Sequence, residues 1–246
     1  MSEDVVEIID WTARLGAITA EALADRGGLS LATARGRLRG ACRTGLMRSW
    51  HVLHGGPALF TVTREGLRVA ELSGLTPGRV SAASARHALV CAASAAALER
   101  LYPARTLSGL PELRRRERLA GRALASAPMR DAGSGVTLLH RPDLVLWPGP
   151  DHEHTAPIAV EVELSVKAPV RLAAICRAWR RCPGIDGTIY LATADVLGPL
   201  SRAIERAHAG GRVIALELSS FAAPAPLAPA PRTRPPTPAR TVPSAA

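Results

Sequence analysis

The first stretch of the chain places apolar residues at helical spacing. Val5, Ile8, Ile9 and Leu15, with Trp11 nearby, predict a helix over 4–16 that Gly16 stops. Thr19 caps a short second helix over 20–26, closed by Gly27 and Gly28, and Ser30 caps a third over 31–44. In the third helix Leu31, Ala34, Leu38, Ala41 and Cys42 project to one side, and Ala32, Thr33, Gly36 and Gly40 to the other. Two glycines in a helix interior cost about 1 kcal/mol each relative to alanine, so a small-residue strip needs a reason, and close approach to a groove is one. Residues 47–53 and 58–62 then flank the turn His54-Gly55-Gly56-Pro57, which predicts a hairpin, and Thr63 caps a helix that follows.

Past Gly78 the pattern changes twice. Residues 82–101 form a long Ala-rich helix, and 112–125 a second, with Arg114, Arg115, Arg116, Arg118 and Arg122 around it. Short strands follow over 136–139 and 143–147, then a polar turn over 148–155. Residues 158–166 alternate: Val160, Val162, Leu164 and Val166 face one way, and Glu161, Glu163, Ser165 and Lys167 the other. Pro169 opens a helix to about residue 181, and strand 188–193, helix 198–209 and strand 213–218 complete the order. This order predicts an α+β chain of two domains: a helical unit with a hairpin over 1–75, and an α/β sandwich on a mixed sheet over 76–221.

Composition narrows the function classes. The chain has 246 residues, 47% hydrophobic and 21% charged, which is a globular balance. The longest uncharged, mostly apolar run, 88–98, is far short of the ~20 residues that cross a bilayer, and the acidic start Met1-Ser2-Glu3-Asp4 has no secretion layout. The expected location is cytoplasmic, with no membrane partner. Four cysteines, Cys42, Cys91, Cys176 and Cys182, lie in apolar helical segments at spacings that match no zinc pattern, so buried free thiols are expected.

Of the 31 basic residues, 30 are Arg and one, Lys167, is Lys, while Asn and Gln are absent, as in the proteins of very GC-rich genomes. The net charge of +10 is therefore less informative than its placement. From Arg26 to Arg64 seven arginines occur without one Asp or Glu, which implies one polarised basic face. Residues 222–246 hold eight prolines, three arginines and no acid, and predict a disordered basic tail.

Three helices, a hairpin and a helix, in that order and with that basic run, resemble the winged helix-turn-helix of bacterial regulators. The resemblance makes 31–44 the recognition helix and 49–62 the wing, with Thr33, Arg37, Arg39, Arg43 and Arg48 as contacts to double-stranded DNA. Without Asn or Gln the bidentate reading of adenine is closed, so direct readout would lean on Arg to guanine and favour G·C-rich sites.

In the second half, Arg141-Pro142-Asp143 opens one strand and Glu161-Val162-Glu163 lies on the next. Carboxylates so placed can converge on one hard cation such as Mg²⁺. The arrangement resembles the restriction-endonuclease-like PD-(D/E)XK superfamily, but Glu163 stands where that pattern has its Lys. Together with the winged helix, His140-Arg141-Pro142-Asp143 and residues 160–167 resemble the actinobacterial replication-relaxation family of mobile elements. That resemblance implies a DNA-binding protein of plasmid replication or maintenance with a nuclease-like C-terminal domain.

Three readings of the acids stay open on the sequence. Asp143, Glu161 and Glu163 ligate Mg²⁺ as catalytic residues of an endonuclease, with Lys167 returning to the site across a bend and Glu112 or Glu117 joining. Alternatively they hold metal and phosphate without cutting, or they are structural and pair with Arg141, Arg171 or Arg177. A rival of another class is a non-enzymatic winged-helix regulator whose C-terminal domain forms a homodimer or binds a partner such as a replication or partition protein. The turn Asp151-His152-Glu153-His154 reads as solvated, and His87 and His140 as core or supporting histidines.

Overall fold

The computed structural model describes residues 2–130, 137–149 and 156–220. The turn Asp151-His152-Glu153-His154 and the tail 222–246 lie outside the described residues. Three helices come first: α1 (Glu3–Leu15), α2 (Ala20–Gly27) and α3 (Leu31–Arg43). Thr19 and Ser30 cap α2 and α3, their side-chain oxygens accepting from the backbone N–H of Ala22 and Thr33. A hairpin of β1 (Met47–Trp50) and β2 (Leu59–Val62) follows, with Met47 opposite Val62, and α4 (Arg64–Val69) closes the unit. Ile18, between α1 and α2, bridges to Phe60 of β2 and ties the hairpin to the helices.

The second half is built on a five-stranded mixed sheet. Helix α5 (Ala82–Leu101) leads into β3 (Arg105–Gly109), α6 (Leu110–Ala120), β4 (Ala127–Arg130), β5 (Thr137–His140), β6 (Leu144–Pro148) and β7 (Ile158–Glu163). Then come α7 (Pro169–Arg181), β8 (Gly187–Ala192), α8 (Ala194–Arg206), β9 (Val213–Glu217) and a closing 3₁₀ turn. The main sheet runs β3-β6-β7-β8-β9: β3, β6 and β7 pair antiparallel, and β7, β8 and β9 parallel. The α+β class and the mixed sheet are as the sequence predicts.

Several boundaries differ from expectation, each for a local reason. Strands β3 and β4 are not foreseen, because neither Arg105–Gly109 nor Ala127–Arg130 alternates cleanly in hydrophobicity. Strand β5 pairs only with β4, in a separate ribbon outside the main sheet. Helix α6 ends five residues short of 125, where Gly121 turns left-handed at φ 64°. Helix α8 starts at Ala194, four residues before the expected 198, and carries Pro199 inside it. Strand β7 stops at Glu163 rather than residue 166, so Ser165 and Lys167 are not on it.

The pleat of the sheet separates two hydrophobic clusters. Leu107, Leu144, Leu146, Val160, Val162, Ile189 and Leu191 pack toward α5, in a cluster continuous with Ile8, Ile9, Leu23 and Leu38 of the first three helices. Val145, Trp147, Ala159, Tyr190 and Ala192 pack toward α7 and α8, with Leu172, Cys176, Trp179 and Leu200. Buried Ala85, Ala92, Ala95 and Ala96 on α5 let that helix lie close to its neighbours. Among the described residues no helix is long and apolar enough to cross a membrane.

Candidate functional site

Two regions gather the residues that the sequence singles out. The first is the outer face of α3 with the hairpin. Arg39 and Arg43 are exposed on α3, and Arg48 on β1, its guanidinium 5.7 Å from the Trp50 ring centre. Among the described residues none of these three has an ion-pair partner. Their neighbours do: Arg35 bonds Glu21 at 3.2 Å, and Arg37 bonds Asp4 at 2.7 Å. Arg37 therefore spends its charge on α1, unlike the other sequence-predicted contacts. The Thr33 hydroxyl shares a 2.8 Å hydrogen bond with Ser30 at the helix start and stays exposed.

Between α3 and the hairpin runs an open groove of about 760 Å³, lined by Arg35, Gly36, Arg39, Arg43, Ser49 and His51 among others. A Cβ built at Gly36 or Gly40 meets nothing within 4 Å. Internal packing does not require either glycine. By contrast, a Cβ at Gly66 would lie 2.2 Å from the Leu46 carbonyl oxygen, so that glycine is held by the fold itself.

The second region lies where β6 begins and β7 ends. Glu161 and Glu163 share the face of β7 that looks toward α7, and both are buried. Glu161 Oε1 lies 2.7 Å from His140 Nε2 and accepts from Trp179 Nε1 at 3.2 Å. The His140 and Trp179 rings themselves meet edge to face, with centroids 5.5 Å apart. Burial raises the Glu161 carboxyl above the ordinary carboxylate range, against the opposing pull of His140. Glu163 pairs with Lys167, which returns because the chain leaves the strand after Glu163 and turns before Pro169 starts α7. The bend expected from Pro169 is present.

Asp143 behaves differently. It sits in a bend before β6, free of the pleat, and its Oδ2 accepts from the Val162 backbone N–H at 2.8 Å where the β6–β7 ladder has not yet begun. The same oxygen lies 3.2 Å from His87 Nε2 on α5. This contact, over the cost of burial, raises the His87 imidazole above its usual value. Among the described residues, the donor atoms that lie within 4.8 Å of one another belong to His87, Cys91 and Asp143, not to Asp143, Glu161 and Glu163. The three carboxylates are divided between the α5 and α7 sides of the strand.

The other expected partners are also engaged elsewhere. Glu112 bonds Arg115, Arg116 and Arg14, and these cations lower its carboxyl although burial opposes them. Glu117 bonds Arg141 at 3.1 Å, as well as the Ser126 hydroxyl and the Leu124 N–H. Neither glutamate joins the acids of β7. Arg141, Arg171 and Arg177 do not pair with those acids either; His140, Trp179 and Lys167 hold them. The four cysteines are free thiols, Cys176 and Cys182 buried, Cys42 and Cys91 only half-buried.

The sequence leaves Cys91 out of the site and reads His87 and His140 as core or supporting histidines, and the fold brings all three to the acids. A signal existed for the first pair, since His87 and Cys91 are four apart on one helix and share a face. No family model, curated protein or solved structure matches the chain.

Proposed function

We propose that the chain is a duplex-DNA-binding protein of a mobile genetic element, serving plasmid replication or maintenance, and that it docks through α3 and the β1–β2 hairpin as a winged helix. The observation that carries this reading is the contrast in ion pairing on one surface. Arg35 and Arg37 are paired within the chain, whereas among the described residues Arg39 and Arg43 stand exposed and without an ion-pair partner along an open groove, and so does Arg48 on the neighbouring strand β1. Cations left without internal partners beside a glycine strip suit a phosphate backbone that must come close. The order of three helices and a hairpin, with Ile18 bridging to the wing strand, supports the same reading.

The sheet domain fits a nuclease-like scaffold better than a working Mg²⁺ nuclease. A hard-cation centre needs carboxylate oxygens that converge. Here Glu161 is committed to His140 and Trp179, Glu163 to Lys167, and Asp143 turns toward α5. The residues present do not fit the Mg²⁺ site expected from Asp143, Glu161 and Glu163. Lys167 neutralises Glu163 instead of orienting a water.

The test is a titration of labelled duplexes across a salt series. Affinity should fall linearly on logarithmic axes, with a slope of about −0.9 per phosphate neutralised. Arg39→Ala with Arg43→Ala should weaken binding and flatten that slope by about 2. Arg68→Ala, whose partner is Glu65 on α4, should bind as the wild type does. A salt-insensitive wild type, or a double variant of unchanged affinity, overturns the proposal.

A further inference from the structure

Helix α5 presents His87 and Cys91 one turn apart, and the bend before β6 carries Asp143 against them. His87 Nε2 is 3.2 Å from Asp143 Oδ2 and 3.9 Å from Cys91 Sγ. With Zn–N and Zn–O bonds of about 2.0–2.1 Å and Zn–S of about 2.3 Å, tetrahedral ligands stand about 3.3 Å apart for N···O and about 3.6 Å for N···S. The His87–Asp143 spacing already matches, whereas Cys91 Sγ, 3.6 Å from His87 Nδ1 and within 4.8 Å of the other two donors, reaches the same ion by a side-chain rotation against the His87 ring. We propose that His87, Cys91 and Asp143 form a zinc site.

The donor set decides the metal. Imidazole and thiolate favour zinc over the hard cations, which prefer all-oxygen shells. The Val162 N–H, donating to Asp143 Oδ2, fixes the carboxylate as outer contacts do around metal ligands. All three residues also line a cleft of about 320 Å³ between the helical unit and the sheet, with Gly16, Thr76 and Arg79 on its walls. Three protein donors facing such an opening leave the fourth position for water or an oxygen ligand, the layout of zinc sites that do chemistry. Binding forms Zn–N, Zn–S and Zn–O bonds and sends the Cys91 thiol proton to solvent. The site shares no residue with the α3 groove and does not rest on the DNA reading.

Full-length protein freed of metal by chelation is titrated with Co²⁺ as the spectroscopic probe. One equivalent should produce thiolate-to-cobalt absorption, and one equivalent of Zn²⁺ should abolish it. Cys91→Ser should remove the band, Cys42→Ser should keep it, and Asp143→Asn should weaken Co²⁺ binding on the order of tenfold or more. Asp143→Asn serves as the decisive variant if circular dichroism shows that Cys91→Ser is unfolded. The Arg39→Ala, Arg43→Ala variant should bind Co²⁺ as wild type does, which separates failure here from failure of DNA binding. A wild type without the band, or a folded Cys91→Ser that retains it, overturns the site.

Discussion

Glu161 shows how far a single residue's identity reaches. Its place on β7, opposite the apolar face, leaves it open as a metal ligand or a structural acid, and the structure buries it beneath α7. Because its folded carboxyl is raised, the protonated form fits the fold better. The sign follows from linkage: stability from this group is complete below the ordinary carboxylate value and is lost as pH rises through the raised one. Glu161→Gln, which keeps an acceptor for Trp179 and carries no charge, should match or exceed the wild type in unfolding free energy at neutral pH. The difference should vanish toward pH 4, as denaturant melts across a pH series would show. Glu161→Ala should instead lose about 1–3 kcal/mol, because His140 and Trp179 are left without their acceptor. Equal pH dependence in wild type and Glu161→Gln would refute this account. No sequence pattern names His140 or Trp179 as the partners, since they arrive from β5 and α7.

At the scale of elements, α3 separates the positions the fold needs from those it does not. Its apolar side, Ala34, Leu38 and Ala41, is buried as its periodicity predicts, and its N-cap is legible as Ser30. Gly36 and Gly40 weaken the helix without any packing need. Replacing both with alanine should stabilise the protein by about 2 kcal/mol in total, from the helix propensities. The same change should weaken duplex binding if close approach is why they are glycine. Gly66→Ala is the opposing control: crowding against Leu46 and Val62 should destabilise by about 1–3 kcal/mol. Thermal melts with anisotropy on the same samples read both effects, and tighter DNA binding by the Gly36→Ala, Gly40→Ala protein would remove the proposed reason. Strand β7 was legible as an element but not in length, because Leu164 and Val166 continue an alternation that the turn into α7 interrupts.

For the whole molecule, the cluster that starts at Ile8 and Leu23 continues through Val90, Ala95 and Leu98 of α5 to Leu144, Val160 and Leu191 of the sheet. A shared core couples the helical unit to the sheet, so heat unfolding should give one cooperative transition, with calorimetric and van't Hoff enthalpies in agreement. Two resolved transitions would refute that coupling. The sequence by itself determined the α+β class, the three leading helices and hairpin, the acid-free basic stretch and the turn ahead of Pro169. These rest on local physics: side-chain period, capping hydroxyls, proline's fixed φ and the sum of nearby charges. Only the tertiary structure decided which arginines of α3 pair within the chain, and that Asp143 turns to His87 and Cys91 while Glu161 and Glu163 turn to α7. Those outcomes depend on which distant segment packs beside each residue, and desolvation and pairing across that contact leave no trace in the spacing of a single strand.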